Sequence, residues 1–364
     1  QMYARGTYQE IGMLYKRRSR DGHRESRRMA SSISEVARRA NVSISTVSRV
    51  LNRPNLVNAK TRERVEIAIR ELGYHPNAFA RGLMLRKSEM IGLVLPDIHG
   101  EFYSEIIRGA NLKARELGYN LILSSANDPQ DTGVLLEGIR QRRIMDGVAV
   151  MVAEVTDQIQ GLLHEFSLPF VLLDSDLDGL AHDSVVIDQH GGAVALMRHL
   201  VHARASRRVI YVGGHEANVD AMARCRAYRE VLANSDLPCD AGDIHHLDFQ
   251  YATAHAFALE HLHHWVGPGH CVFAGNDEMA SAIIDAAYVR GFDVPRDLAV
   301  VGFDDTRIAR MTRPPLTTVR VPMAQMGGTA VELLCERLAA PESPERQVSL
   351  RPELVVRPSC GATG

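Results

Sequence analysis

A chain of 364 residues exceeds what one ordinary hydrophobic core supports, so at least two folding units are expected. An apolar share of 45% with 24% charged residues is that of a soluble globular protein, and no run of about 18 apolar residues is present to span a membrane. Five scattered cysteines (Cys225, Cys239, Cys271, Cys335, Cys360) exclude a disulfide framework and CxxC metal spacing, and they fit a reducing, cytoplasmic address.

The net charge of −2 conceals a division along the chain. Residues 1–88 hold 19 Lys and Arg against 7 Asp and Glu, a surplus of 12 positive charges, and the remainder carries −14. A basic head on an acidic body suits a nucleic-acid binder with a separate domain for something else. Residues 1–28 are rich in Arg, Ser, Gly and Tyr without any period, so 1–29 reads as a disordered extension, with upstream residues ahead of a start at Met29 and a functional basic arm as the two alternatives for it.

From Ile33 the pattern changes. Ile33, Val36, Ala37 and Ala40 fall at i, i+3, i+4 and i+7, one apolar stripe on a two-turn helix that Ser31 or Ser32 can cap. Asn41-Val42-Ser43 breaks it, and Ser43 can cap a second helix whose inner face is Val47, Val50 and Leu51. Pro54 ends that helix. A third carries Val65, Ala68, Ile69 and Leu72 on one face and stops at Gly73. Residues 30–75 therefore form a compact helix-turn-helix unit.

In such a unit the second helix enters the major groove of DNA. Its outward face offers Ile44, Ser45, Thr46, Ser48 and Arg49. Arg49 can donate twice to a guanine edge, Ser45 can meet a base edge, and Ile44 can pack on a thymine methyl. Ser43, Thr46, Ser48 and Asn52 are short donors suited to phosphate, which fixes position and not sequence. No Asp or Glu occurs from Val36 to Lys60, which sets this face apart from an ordinary solvated one.

Beyond residue 90 short apolar runs alternate with amphipathic stretches. The runs are IGLVLP (91–96), YNLILSS (119–125), DGVAVMV (146–152), PFVLLD (169–174), SVVID (184–188), RVIYVGG (208–214), HHLDF (245–249), HCVFAGN (270–276) and LAVVGFDD (298–305). Near-continuous apolar strands separated by helices indicate parallel sheets covered on both faces. Nine units exceed one comfortable sheet, so two α/β lobes are expected. Catalytic signatures are missing: there is no nucleophile elbow, Walker loop, GxGxxG after a strand, or HExxH. No enzyme activity, cofactor or metal is expected. His245, His246, His261, His263 and His264 lack a Cys or Glu to complete a metal site and read as surface residues.

The segments ISEVARRANVSISTVSRVLN (33–52), NAKTRERVEIAIRELGYHPNAFARGL (58–83), NDEMA (276–280), DVPRDLAVVGFDD (293–305) and PPLTTVRVP (314–322) closely resemble the lactose-repressor family of transcription regulators. The resemblance covers essentially everything after Met29. It implies a hinge at 76–89, in which Pro76–Leu83 folds as a short helix on DNA, with Asn77 and Ala80 contacting it. Leu83 would act as a minor-groove wedge. Gly82 inside this segment makes such a helix marginal alone. Met84 departs from the pattern, since relatives often carry a basic residue there.

The resemblance further implies a two-lobed effector domain of periplasmic-binding-protein type at 90–359, with lobe 1 at about 90–188 and 320–345, lobe 2 at about 189–319, and a tail at 360–364. Ligands of α/β sheets bind outside the carboxyl ends of strands. On that rule and the family pattern, the pocket residues are Phe102, Tyr103, Asp174, Arg224, Phe249, Asn276 and Asp304. Competing roles are plain: Asn276 and Asp304 as helix caps, Arg224 as an interlobe ion pair, and Phe102, Tyr103 and Phe249 as core. Asp97 reads as a cap. Partners implied are double-stranded operator DNA, a sugar or sugar acid with a purine as the alternative, and a second copy of the chain, as a homodimer or a dimer of dimers.

Overall fold

The computed structural model describes residues 32–74, 87–126, 129–142, 144–175, 179, 182–203 and 205–361. The extension 1–29 and the hinge positions Asn77, Ala80 and Leu83 lie outside the described residues. The chain divides into two compact units, up to Lys87 and from Ser88 onward.

The first unit is three helices, α1 (Ile33–Ala40), α2 (Ile44–Asn52) and α3 (Ala59–Leu72). Local chemistry sets each boundary. Ser32 and Glu35 form a reciprocal capping box at α1, with the Ser32 N–H donating to the Glu35 carboxylate at 2.7 Å. Asn41 ends α1 in the left-handed region at φ 50°, which Asn tolerates better than most residues. Ser43 Oγ accepts from the Thr46 N–H at 3.1 Å, Asn58 Oδ1 accepts from the Thr61 N–H at 3.1 Å, and Gly73 closes α3 at φ 56°. Val36, Ala37, Ala40, Val47, Val50, Val65 and Ala68 make the core, which is small because side chains at the helix crossings are small.

The second unit contains β1 (Met90–Leu95), α4 (Gly100–Glu116), β2 (Asn120–Ser125), α5 (Pro129–Arg142), β3 (Gly147–Met151), α6 (Asp157–His164), β4 (Phe170–Leu173) and β5 (Asp183–Ile187). It continues with α7 (Gln189–Arg198), β6 (Arg208–Gly213), α8 (Val219–Ala233), β7 (Ile244–His246), α9 (Tyr251–Trp265), β8 (His270–Ala274), α10 (Asp277–Val289), β9 (Ala299–Val301) and α11 (Arg307–Met311). It ends with β10 (Thr318–Arg320), α12 (Met323–Ala339), β11 (Gln347–Leu350) and β12 (Glu353–Val355). Two parallel sheets result, ordered β11-β5-β4-β3-β1-β2 and β7-β6-β8-β9, each the base of one lobe. In the second lobe Val209, Tyr211 and Phe273 face α8, whereas Ile210, Val212 and Val272 face α9 and α10. Burial on both sides is why these strands read as unbroken apolar runs.

Three strands escaped the periodicity. β10 and β12 pair antiparallel as a two-stranded crossing, and β11 joins the first sheet beside β5. Each is three or four residues long and partly solvated, so none forms an apolar run. Two boundaries shift accordingly. The first lobe's returning segment runs to Leu350, not 345, and Cys360 is buried in the core instead of opening a tail. The run HHLDF also yields less strand than expected: β7 stops at His246, and Phe249 turns away at φ 65°.

α4 and α12 pack on the first lobe at glycine crossings. A Cβ on Gly109 would stand 1.8 Å from the Ala324 carbonyl oxygen, and one on Gly327 would stand 2.1 Å from that of Ile106. Backbone cannot yield as a side-chain tip does. Gly109→Ala is expected to destabilise the protein by about 1–3 kcal/mol or more. Gly161→Ala in α6, where the added methyl meets nothing within 4 Å, should stabilise by about 0.5–1 kcal/mol. Urea unfolding midpoints of the two variants check this opposition.

Candidate functional site

In the first unit the exposed side of α2 presents Ser43, Ile44, Ser45, Arg49 and Asn52, with Thr46 and Ser48 half-buried beside them. Ile44 is 50% exposed although it begins the helix and is aliphatic, which leaves an apolar contact open at the outward end. The hydroxyls are linked: Ser43 Oγ lies 2.8 Å from both Ser45 Oγ and Thr46 Oγ1. Asn52 Nδ2 donates to the Ser48 carbonyl at 2.9 Å, which fixes its amide one turn back along the helix. Arg39, on α1, is tied to Glu71 at 2.6 Å. Among the described residues, α2 itself has no acidic side chain to neutralise Arg49.

In the second unit the carboxyl ends of the strands converge on one guanidinium. Asp174 follows β4, Gln189 follows β5, Gly275 follows β8 and Asp304 follows β9, while α8 carries Asp220 and Arg224 one turn apart. Arg224 is 3% exposed. It donates to Gln189 Oε1 from Nε at 3.1 Å and from Nη2 at 2.8 Å, and to the Gly275 carbonyl from Nη1 at 2.5 Å. Its charged plane lies 4.0 Å from the centre of the Phe303 ring. Asp174 accepts from the Ile187 N–H and from Gln189 Nε2, both at 2.9 Å.

Asp304 differs from its neighbours. It is 7% exposed, its Oδ1 has no hydrogen-bond partner among the described residues, and that oxygen stands 3.9 Å from Arg224 Nη2. Burial pushes its carboxyl up to about 7, Arg224 pulls it back, and the charge of Asp174 raises it again. Burial also raises Asp174, and it raises Asp220 well above the usual range, with the neighbouring charge of Asp174 adding to the effect. Burial and the charges of Asp97, Asp220 and Asp304 raise the Tyr103 phenol, so it stays a neutral donor.

Two cavities adjoin this cluster. One of about 330 Å³ is lined by Asp174, Ser175, Gln189, His190, Asp220 and Ala223. The other, of about 340 Å³, takes in Asp304 with Glu101, Glu105, Arg310 and Arg320. Both lie at the low end of small-molecule site volumes.

The sequence-derived residues divide on inspection. Asp174, Arg224 and Asp304 meet, and Tyr103 is close enough to feel the carboxyls of Asp304 and Asp220. Phe102 and Tyr103 contact each other edge to face at 5.2 Å and pack partly on the core. Phe249 lies over Gly214, where a Cβ would fall 2.0 Å from its ring, with Arg224 Cζ 5.9 Å from the ring centre. Asn276 acts as a helix cap: Oδ1 accepts from the Met279 N–H at 2.8 Å and Nδ2 donates to the Phe249 carbonyl at 3.1 Å. Asp97 is a turn residue, accepting from the Ile98 and His99 N–H groups.

Gln189 and Asp220 were missed. Gln189 directly follows the run SVVID, and Asp220 precedes Arg224 by four residues on one helix face, so a rule pairing strand ends with i, i+4 partners would have found both. The surface reading of the histidines holds for His263 and His264 alone. His245 and His261 stack with Phe257 and Trp265, with rings 4.0 to 6.0 Å apart, and His246 is half-buried. No group of three or more metal-ligating side chains occurs among the described residues, and no helix there is long and apolar enough to cross a membrane.

Comparison with known proteins places these geometries. Residues 32–77 match bacterial regulatory proteins of the lacI family, and residues 197–360 match the periplasmic binding protein-like domain. Catabolite control protein A of Priestia megaterium is 35% identical over 306 residues, spanning 84% of this chain and 92% of its own. The Lac repressor dimer bound to operator and the anti-inducer ONPF aligns with a TM-score of 0.82 at 25% identity, over 91% of this chain and 99% of that one. A cellobiose complex of the transcriptional regulator CelR aligns with a TM-score of 0.69 at 29% identity, over 90% and 99%. With a regulator's helical head joined to a two-lobed binding domain along nearly its whole length, the chain belongs to the lacI family of bacterial regulatory proteins.

Proposed function

We propose that this protein is a cytoplasmic transcriptional repressor whose homodimer binds a roughly palindromic operator and responds to a small hydroxyl-bearing effector. The observation that carries the DNA half is the outward face of α2, acid-free, with Arg49 and Ser45 exposed and Ile44 half-exposed among linked hydroxyls. Arg49 and Ser45 read base edges, Ile44 meets a thymine methyl, and Ser43, Thr46, Ser48 and Asn52 sit against phosphate. Asn77, Ala80 and Leu83 complete the contact through the segment joining the two units, with Leu83 inserted in the minor groove. The Lac repressor's capture as an operator-bound dimer supports a two-fold arrangement here.

The effector occupies the cleft around Arg224, held by Asp174, Asp304, Tyr103 and Phe249, while Asn276 holds Phe249 in place. Its closure of the lobes shifts operator affinity, with coupling on the scale of about 1–3 kcal/mol in either direction of linkage.

Selection of binding sites from random DNA, followed by gel-shift titration, tests the reading. Arg49→Ala should weaken the selected site by about 1–3 kcal/mol, roughly 5- to 150-fold, and relax preference at one base pair per half-site. The fold should be unchanged, because Arg49 is exposed on the outward side of α2. Unaltered sequence preference in both Arg49→Ala and Ser45→Ala would remove α2 as the reading helix.

A further inference from the structure

We infer that Glu101 is a clasp between the two lobes of the second unit: a carboxylate of the first lobe that supplies an acceptor the second lobe lacks. The inference goes beyond the function proposed above, and rests on it only for the effect on operator binding.

Glu101 stands in the first turn of α4, on the first lobe. It accepts from the backbone N–H of Arg307 at 2.7 Å, across 206 positions of sequence. Arg307 opens α11 on the second lobe, and the residue before it explains why a distant acceptor is needed. Thr306 is of a type that commonly satisfies such an N–H with its own hydroxyl. Here it makes no capping bond. Its hydroxyl donates instead to Asp277 Oδ2 at 3.1 Å, and its N–H donates to the same oxygen at 2.7 Å. Asp277 is fully buried, so these bonds answer a demand that water cannot meet. With Thr306 turned inward, the first N–H of α11 falls to the other lobe.

Glu101 suits that task because an ionised acceptor makes a stronger bond than a neutral one. Its neighbour on α4 does not share the role. Both carboxylate oxygens of Glu105 accept from Arg108 on the same helix, at 2.5 to 3.0 Å. A second pair crosses between the lobes: Glu154, after β3, stands 3.7 Å from His215, after β6. That pair is solvent-exposed and longer, so it adds less. Parting the lobes hands Glu101 and the Arg307 N–H back to water. The net worth of such a bond corresponds to about a 2- to 12-fold bias toward the clasped form. A bias of this size holds the lobes together while leaving them open to displacement by a binding event.

Spin labels on Cys239, exposed in the second lobe, and on Val134→Cys in α5 of the first test this by pulsed electron resonance. Cys335→Ser leaves these two as the accessible thiols, and dilution into unlabelled full-length chain isolates one pair per assembly. Wild type should give one dominant separation. Glu101→Ala should increase a second, displaced population about 2- to 12-fold relative to it. Adding Glu154→Ala should increase it further, and Glu101→Gln, whose amide oxygen still accepts, should fall between. Glu105→Ala removes an acid from the same helix without touching the second lobe, and should leave the distribution as it was. The inference is overturned if Glu101→Ala matches wild type, or if Glu105→Ala shifts the distribution as far. On a site selected from random DNA, Glu101→Ala should also change operator affinity severalfold. Unchanged affinity beside a shifted distribution would break the proposed link between lobe angle and DNA while leaving the clasp standing.

Discussion

Replacement of Arg224 by methionine should lower stability by about 3–5 kcal/mol at pH 8, and by distinctly less at pH 5. Methionine keeps an unbranched chain against Phe303 but removes the charge that offsets Asp174, Asp220 and Asp304. Gln189 Oε1 and the Gly275 carbonyl lose their donors at the same time. Removing one partner of a buried ionic set is costly because the remaining charges stay buried. Here they also repel one another. The pH dependence follows from burial, which raises all three carboxyls above the usual 3.8. Without Arg224 they rise further, so at pH 5 the folded state carries protons in place of unbalanced charge. Urea unfolding at both pH values measures the difference. Equal losses would show that packing over Phe303, and not charge, is what the arginine supplies.

The sequence made the architecture legible to different depths in different places. The helical head was readable almost residue by residue, because capping and apolar spacing are local properties. Ser32, Ser43 and Gly73 bound their helices by bonds made within a few positions. Strands such as β1, β3, β4, β6 and β8 were readable because nearly every residue in them is buried, which leaves an unbroken apolar run in the sequence. β10, β11 and β12 were not, since three or four half-solvated residues carry no period. The cleft was half legible. Strand ends and the family resemblance pointed to Asp174 and Asp304, but the hub of the site is a set of contacts far apart in sequence. Gln189 and Gly275 reach Arg224 across 35 and 51 positions, and only the folded chain shows that Arg224 is committed to them. Asn276 answers both signals that the sequence offered at a strand end: it caps the next helix, and its other amide atom holds the Phe249 carbonyl at the cleft.

Asp304→Asn should act on the same ion pair with the opposite sign, stabilising the ligand-free protein at pH 8 while weakening sugar binding. The wild-type carboxyl is pushed up to about 7 in the folded state, against 3.8 when exposed. The folded chain therefore binds this proton more tightly than the unfolded chain. Below about pH 4 both states are protonated and nothing is lost. As pH rises from there through 7, stability falls, by an amount on the order of 4 kcal/mol once the group is fully ionised. Asparagine carries no such penalty, and its amide oxygen can still face Arg224. The variant should melt several degrees above wild type at pH 8 and approach it at pH 5. Its affinity for a bound sugar should drop about 10- to 150-fold, the worth of a hydrogen bond to a charged group. Wild-type affinity should likewise weaken as pH falls below about 7, because a ligand hydroxyl donates to the ionised form and competes with the proton. A variant that gains no stability at pH 8 yet loses the sugar would mean that the empty cleft already balances Asp304. One that keeps the sugar would mean that the unpartnered Oδ1 is not where the ligand docks. Both effects together would identify Asp304 as a carboxylate held ionised against its environment, at a cost to stability that a ligand hydroxyl relieves.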